Sequence, residues 1–166
     1  MSRRTILLSI TLLVVSQLSA TATEKGWQAG VAKVNISPEL PIWLSGYGSR
    51  NKPAATKHDD LWAKALVIED AAGHRAVLAT MDLVGLPRDL STAGCKQVEQ
   101  RYKVPRAAIA LCASHTHSGP VVRGNLMAMY SLDEDQSRRI KEYKSQLTDK
   151  LVAVIGEAMD SLQPAK

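Results

Sequence analysis

The stretch RAAIALCASHTHSGP, residues 106–120, decides the fold because an apolar strand ends there in a polar, histidine-containing turn. Residues 106–114 are a short apolar run of the length typical of a buried strand. His115 and His117 follow directly, with hydroxyl side chains around them, and Gly119–Pro120 then ends the extended segment. The pattern predicts a strand inside a sheet whose carboxyl end presents both imidazoles.

Two further strands and a helix precede this stretch. Residues 61–70 and 74–83 are apolar runs joined by a short turn containing Gly73, so we expect a hairpin. Residues 85–104 have a narrow apolar stripe with a four-residue repeat, which predicts a helix. A helix between two buried strands is typical of a parallel crossover, with helices on both faces of the sheet. The chain therefore reads as an α/β protein with a mixed, partly parallel sheet and covering helices.

The other segments complete this picture. Residues 27–37 alternate small apolar residues and predict a first strand. Residues 38–60 form a long Pro- and Gly-containing loop whose aromatic residues either line a pocket or cover the core. Residues 134–162 have one apolar face and predict a helix, capped by Asp133 or Ser131 and ended by Pro164.

The first 22 residues resemble a secretory signal peptide rather than part of the fold. Arg3 and Arg4 precede an apolar stretch over residues 6–15, and Ala20-Thr21-Ala22 provides a small-residue cleavage site. An uncleaved anchor is the alternative. We therefore expect a single mature domain, residues 23–166, in a secreted or periplasmic protein.

Composition excludes some function classes and leaves others open. The 166 residues have a net charge of +5, but basic and acidic residues are interspersed, and no basic stripe with aromatic residues indicates nucleic-acid binding. Cys95 and Cys112 are the only cysteines, and either a disulfide or two separate thiols is compatible with the sequence. Motifs of nucleotide-binding loops, serine-hydrolase elbows and His-Glu-x-x-His metalloproteases are absent.

The candidate chemistry lies at two strand ends. Asp82 closes one apolar strand, and His115 and His117 follow another, so all three emerge at the same edge if the strands are neighbours. Neutral imidazoles suit zinc, with Asp82 or a nearby hydroxyl orienting the second ring nitrogen. Two hydrogen-bonded surface histidines without a metal are the alternative, and Ser118 as a nucleophile is a weaker one.

The two remaining histidines have simpler interpretations. His74 lies beside the hairpin turn and His58 precedes a strand within a polar cluster, so we expect both to be polar surface residues.

The chain also resembles the neutral/alkaline ceramidases, which are zinc-dependent amidases that split ceramide into sphingosine and a fatty acid. The resemblance spans about residues 28–162. It rests on ASHTHSGP (113–120), supported in order by AGVAKVNISP (29–38), LSGYGS (44–49), HDDLWAKALVIED (58–70) and ATMDLVGLP (79–87).

This resemblance implies a zinc-dependent hydrolase of lipid amides. It assigns His117 as a zinc ligand and His115 as its neighbour, and we expect His115 and Asp82 to take part in catalysis. The implied zinc ion polarises the amide carbonyl and activates a water molecule. The implied substrate is ceramide-like, with peripheral contact to a membrane as a further expectation.

Two departures from the family qualify this expectation. The family's other zinc ligands, a histidine, a glutamate and a tyrosine, and its serine-bearing site have no counterpart here. We therefore expect the amino-terminal part of a larger catalytic domain, inactive without the carboxyl-terminal portion of the same enzyme. VVRGN (121–125) also replaces a glycine-containing segment that follows the motif in ceramidases. A non-catalytic binding or structural module with the same fold is the alternative.

Overall fold

The computed structural model describes residues 26–165, which form a five-stranded sheet and two long helices. The strands are β1 (Gln28–Asn35), β2 (Trp62–Glu69), β3 (Arg75–Met81), β4 (Ile109–Ala113) and β5 (Gln163–Pro164). The helices are α1 (Arg88–Tyr102) and α2 (Glu134–Asp160), with short 3-10 turns at Arg106–Ala108 and Met127–Met129. The predicted signal peptide, residues 1–22, lies outside the described residues.

The sheet is mixed, as the sequence predicts. Its strand order is β4-β3-β2-β1-β5, with β3 and β4 parallel and the other neighbouring pairs antiparallel. The hairpin between β2 and β3 is confirmed: Asp70 Oδ1 accepts hydrogen bonds from the backbone nitrogens of Ala72 and His74. Gly73 adopts a φ of +85°, which glycine permits without strain.

The two helices pack together over one face of the sheet. Helix α2 begins after Asp133, whose Oδ1 accepts a hydrogen bond from Gln136 N, so one of the two predicted caps is confirmed. Its buried face, which includes Leu147 and Leu151, contacts β1 and β2 as well as α1. Pro164 does not end the helix directly, because α2 stops at Asp160 and Pro164 pairs with Gln28 in β5.

The expectation of helices on both faces is wrong for the described residues. On the face opposite the helices, Val31, Leu66 and Leu78 lie side by side in register and are substantially exposed. The reason is topological: β1, β2 and β3 pair antiparallel, and β2 and β3 join through a tight turn. The single crossover, α1 between β3 and β4, places a helix on one face only.

The two cysteines do not form a disulfide. Cys95 is buried in α1 and Cys112 is exposed on β4, and both are free thiols. Burial raises the pKa of the Cys95 thiol.

Within residues 26–165, no helix combines the length and apolar character that crossing a bilayer requires.

Close packing of α2 on β1 predicts a strong effect of Gly30→Ala. A Cβ atom at Gly30 would lie 2.0 Å from the carbonyl oxygen of Ala158, so the end of α2 must shift. We expect a loss of about 1–3 kcal/mol in the free energy of unfolding, measured by urea denaturation. Gly26→Ala is the control because a Cβ there meets no atom within 4 Å. Equal losses in both variants would contradict this packing.

Candidate functional site: a paired-histidine loop

The parallel strands β3 and β4 end side by side and bring the predicted site residues to one edge. Met81 is the register partner of Ala113, and the pairing continues one step further because Ser114 N donates to Met81 O at 3.0 Å. Asp82 follows Met81 directly, and His115 follows Ser114. The expectation that these strand ends are neighbours is therefore confirmed.

The imidazole of His115 is oriented by a main-chain carbonyl. Its Nδ1 lies 2.7 Å from the carbonyl oxygen of Val84. A carbonyl oxygen only accepts, so Nδ1 carries the hydrogen and Nε2 of the neutral ring keeps its lone pair. This is the arrangement that orients histidine ligands in metal sites. The sequence suggested a hydroxyl or Asp82 for this role, and the partner is the backbone of Val84 instead.

The imidazole of His117 is positioned by packing. Its ring centre lies 5.1 Å from that of His115, with 60° between the planes, and 4.9 Å from the ring of Tyr47 in an edge-on contact. Gly46 lies against the same ring: a Cβ on this residue would be 2.4 Å from His117 Cγ. Gly46 also has a φ of +102°, so both its backbone conformation and the available space favour glycine.

Arg50 connects the aromatic contact with the main chain of the segment that carries both histidines, residues 114–120, here called the histidine loop. Its Nη2 donates to the carbonyl oxygen of His117 at 2.7 Å. Its guanidinium carbon lies 5.2 Å from the ring centre of Tyr47, within the range of a cation–π contact. Tyr47 therefore contacts Arg50 as well as His117.

The long loop over residues 38–60 both covers the core and lines the site. Trp43 is buried, and its backbone nitrogen donates to the side-chain oxygen of Gln136 at 2.9 Å, whereas Tyr47 is exposed beside His117. Ser45 N donates to Gly119 O at 2.8 Å, which joins this loop to the histidine loop. Both roles that the sequence left open are thus present, in different residues.

Asp82 and His74 have structural partners, and His58 lies at the surface. The Oδ2 atom of Asp82 accepts a hydrogen bond from Trp62 N at 2.9 Å, which ties the end of β3 to the start of β2. His74 is exposed and pairs through Nδ1 with Asp70 at 2.9 Å, as expected for a surface residue at the turn. His58 is exposed as well.

The donor set at this edge consists of two imidazoles. In the part of the chain that the structure describes, no group of three or more His, Cys, Asp or Glu side chains is close enough to hold a metal ion. Sequence reasoning found both histidines and left open that the aromatic residues of the long loop, among them Tyr47, line a pocket, but it missed Gly46, Arg50 and the Val84 carbonyl. The LSGYGS segment was the local signal for Gly46.

The amino-acid sequence of the chain is similar to those of known enzymes of one kind, the neutral ceramidases. The chain is 31% identical over 165 residues to the neutral ceramidase of Pseudomonas aeruginosa. The aligned region covers 97% of the chain and 24% of that protein. It is 25% identical over 114 residues to the neutral ceramidase of Drosophila pseudoobscura pseudoobscura, covering 67% of the chain and 16% of that protein. The chain thus spans a quarter or less of the length of these curated relatives.

Solved structures give the same result. The crystal structure of the neutral ceramidase from Pseudomonas aeruginosa superimposes with a TM-score of 0.67 and 28% identity, over 84% of this chain and 22% of that one. A structure described as a ceramidase complexed with C2 superimposes with a TM-score of 0.65, also at 28% identity and with the same coverage. No protein-family model matches the chain.

The contact between Gly46 and His117 predicts that Gly46→Ala displaces the imidazole. The new methyl group occupies the space of the ring, and alanine disfavours the positive φ. We expect large shifts of the His117 imidazole signals in NMR spectra and a loss of about 2 kcal/mol in unfolding free energy. Gly48→Ala is the matched control, since its Cβ meets only Met129 Cε at 3.4 Å. Unchanged His117 signals in Gly46→Ala would disprove the contact.

Proposed function

We propose that this chain, which belongs to the neutral ceramidase family, supplies part of the catalytic site of a zinc-dependent lipid-amide hydrolase. One observation carries the proposal: similarity to a neutral ceramidase over 97% of the chain coincides with two histidines that follow the end of β4, beside the end of β3. The substrate class is a lipid amide of the ceramide kind. The signal-like segment over residues 1–22 supports a secreted or periplasmic location.

The two histidines fit a zinc ion in both chemistry and spacing. Zinc takes neutral imidazole nitrogens at about 2.0–2.1 Å in tetrahedral geometry, which puts the centres of two bound rings about 5 Å apart. The observed separation between the centres of His115 and His117 is 5.1 Å. The hydrogen bond from His115 Nδ1 to Val84 O also leaves Nε2 available as a donor.

We assign both histidines to the metal. His117 is the ligand that the family resemblance implies, and the Val84 hydrogen bond gives His115 an independent physical case. When bound, zinc would polarise the amide carbonyl and lower the pKa of a bound water molecule. The chain's own contribution is orientation: Val84 O holds the proton on His115 Nδ1, and Tyr47, Gly46 and Arg50 restrict His117.

Asp82 takes a positioning role in this proposal. The sequence predicts that it takes part in catalysis, and in the structure its Oδ2 accepts the hydrogen bond from Trp62 N. That bond ties the end of β3, from which the segment with Val84 continues, to the start of β2. Asp82 therefore acts on His115 through the backbone.

A complete catalytic zinc site needs three protein ligands and one open position. Residues 26–165 provide two imidazoles and no cluster of three possible ligands. We therefore propose that the remaining donors come from a further, carboxyl-terminal portion of the enzyme, and that the 166-residue chain does not hydrolyse amides alone.

Zinc binding tests the assignment of the histidines. Isothermal titration calorimetry with zinc should give one site, and His115→Ala or His117→Ala should weaken it at least about tenfold. His74→Ala is the matched control, because that imidazole is exposed at the hairpin turn and pairs with Asp70. Equal zinc affinity in all four proteins would refute the site and favour a metal-free binding module.

An activity assay tests the incomplete site. With zinc and a fluorescent short-chain ceramide, the 166-residue chain should release no fatty acid, because two imidazoles cannot form a three-ligand site. Serine-directed phosphonates should also leave Ser118 unlabelled. Amide hydrolysis that His115→Ala abolishes would show that the chain needs no further ligands.

A further inference from the structure

A cavity of about 350 Å³ lies beside the histidine loop. Its aliphatic lining is partly buried and comes from the long loop and the residue that precedes β2: Pro38, Leu40, Leu44, Ala54 and Leu61. Most of its polar lining, including His58, Asp59 and Ser118, is exposed, and Ser37 is half-buried. An apolar interior with a polar rim is the lining that an amphiphilic molecule requires.

We propose that this cavity binds one unbranched aliphatic chain of a lipid. The identity of that lipid as the amide substrate of the histidine site rests on the proposed function. A group the size of a water molecule takes up about 30 Å³ of liquid, so the volume has room for about ten chain carbons. The cavity is at the small end of the range for ligand pockets, about 300–1,000 Å³. It therefore suits a single chain.

The cavity borders the histidines through shared main-chain contacts. Ser118, which lines it, follows His117 directly. Leu44, which also lines it, forms a bridge with Pro120, and the neighbouring Ser45 N donates to Gly119 O. The polar rim of the cavity therefore includes part of the loop that holds the imidazoles.

The walls are held in place without a ligand. Leu61 N donates to Ser37 Oγ at 3.0 Å, and Ser37 Oγ donates to Asp60 Oδ1 at 3.0 Å. Lys57 also donates to Asp60, and this contact is the main reason why the pKa of Asp60 falls to about 2. Ala54 and Ile42 exchange two backbone hydrogen bonds on the opposite side. A preformed cavity avoids the cost of ordering its walls on binding.

A larger hollow on the outer sheet face is a poorer candidate. Its volume is about 540 Å³, and it is lined by Val31, Leu66 and Leu78 among others. None of its lining residues belongs to the histidine loop or to the loop over residues 38–60. A chain bound there would have no polar end near the imidazoles.

Titration with saturated fatty acids of 6 to 14 carbons, below their micelle concentrations, tests the proposal. On the metal-free protein, calorimetry should show affinity rising up to about fourfold per methylene and levelling off near ten carbons. Ala54→Trp should fill the cavity and weaken decanoic acid binding at least tenfold. Ala55→Trp is the control, since Ala55 is exposed and outside the lining.

Leu61→Asn provides a second variant in case tryptophan at position 54 disturbs the loop. It puts a polar group on the apolar wall and should also weaken binding, while His115→Ala should not. The proposal would be overturned if the unaltered protein bound no fatty acid. It would also be overturned if the Ala54→Trp, Leu61→Asn and Ala55→Trp variants bound decanoic acid with equal affinity. Normal fatty-acid binding without zinc binding would defeat the proposed function while supporting the cavity as an aliphatic-chain site.

Discussion

The parallel pairing of β3 with β4 is the constraint on which the candidate site depends. The register places Met81 beside Ala113, and the bond from Ser114 N to Met81 O extends the pairing past the end of β4. The segments that follow β3 and β4 therefore stay close to each other. As a result, His115 Nδ1 lies 2.7 Å from the carbonyl oxygen of Val84. A shift of one residue would turn the side chains of β4 to the other face and break this contact.

A second constraint links the helix layer to the same site. Gln136 is buried in α2, where its side-chain oxygen accepts from Trp43 N and its nitrogen donates to Pro41 O. Separating the loop from α2 would leave a buried amide without partners, which costs about 1–3 kcal/mol. Because this loop continues to Gly46 and Tyr47, the packing of α2 determines where the contacts to His117 lie.

The sequence predicts those features that depend on local patterns. Apolar runs located β2, β3 and β4, and the apolar face of α2 predicted its start at Glu134 correctly. The partner of His115 could not be predicted, because a main-chain carbonyl 31 positions away has no residue-specific signal. The contact of Gly46 with His117 spans 71 positions and depends on how the loop folds back. The expectation of helices on both faces was wrong because it applied to the whole sheet a rule that holds for parallel strands. Among the strands that the structure describes, only β3 and β4 are parallel.

The two histidines are held by different physical means, and this difference bears on function. His115 has a φ of +61°, a left-handed conformation that costs a non-glycine residue about 1–2 kcal/mol. Its hydrogen bond to Val84 O contributes about 0.5–1.5 kcal/mol, which offsets a similar amount. His117 instead depends on the space beside Gly46 and on its contact with Tyr47. Backbone strain is concentrated at functional sites, so strain at a residue whose side chain is fixed by a main-chain hydrogen bond is consistent with the binding role proposed for His115.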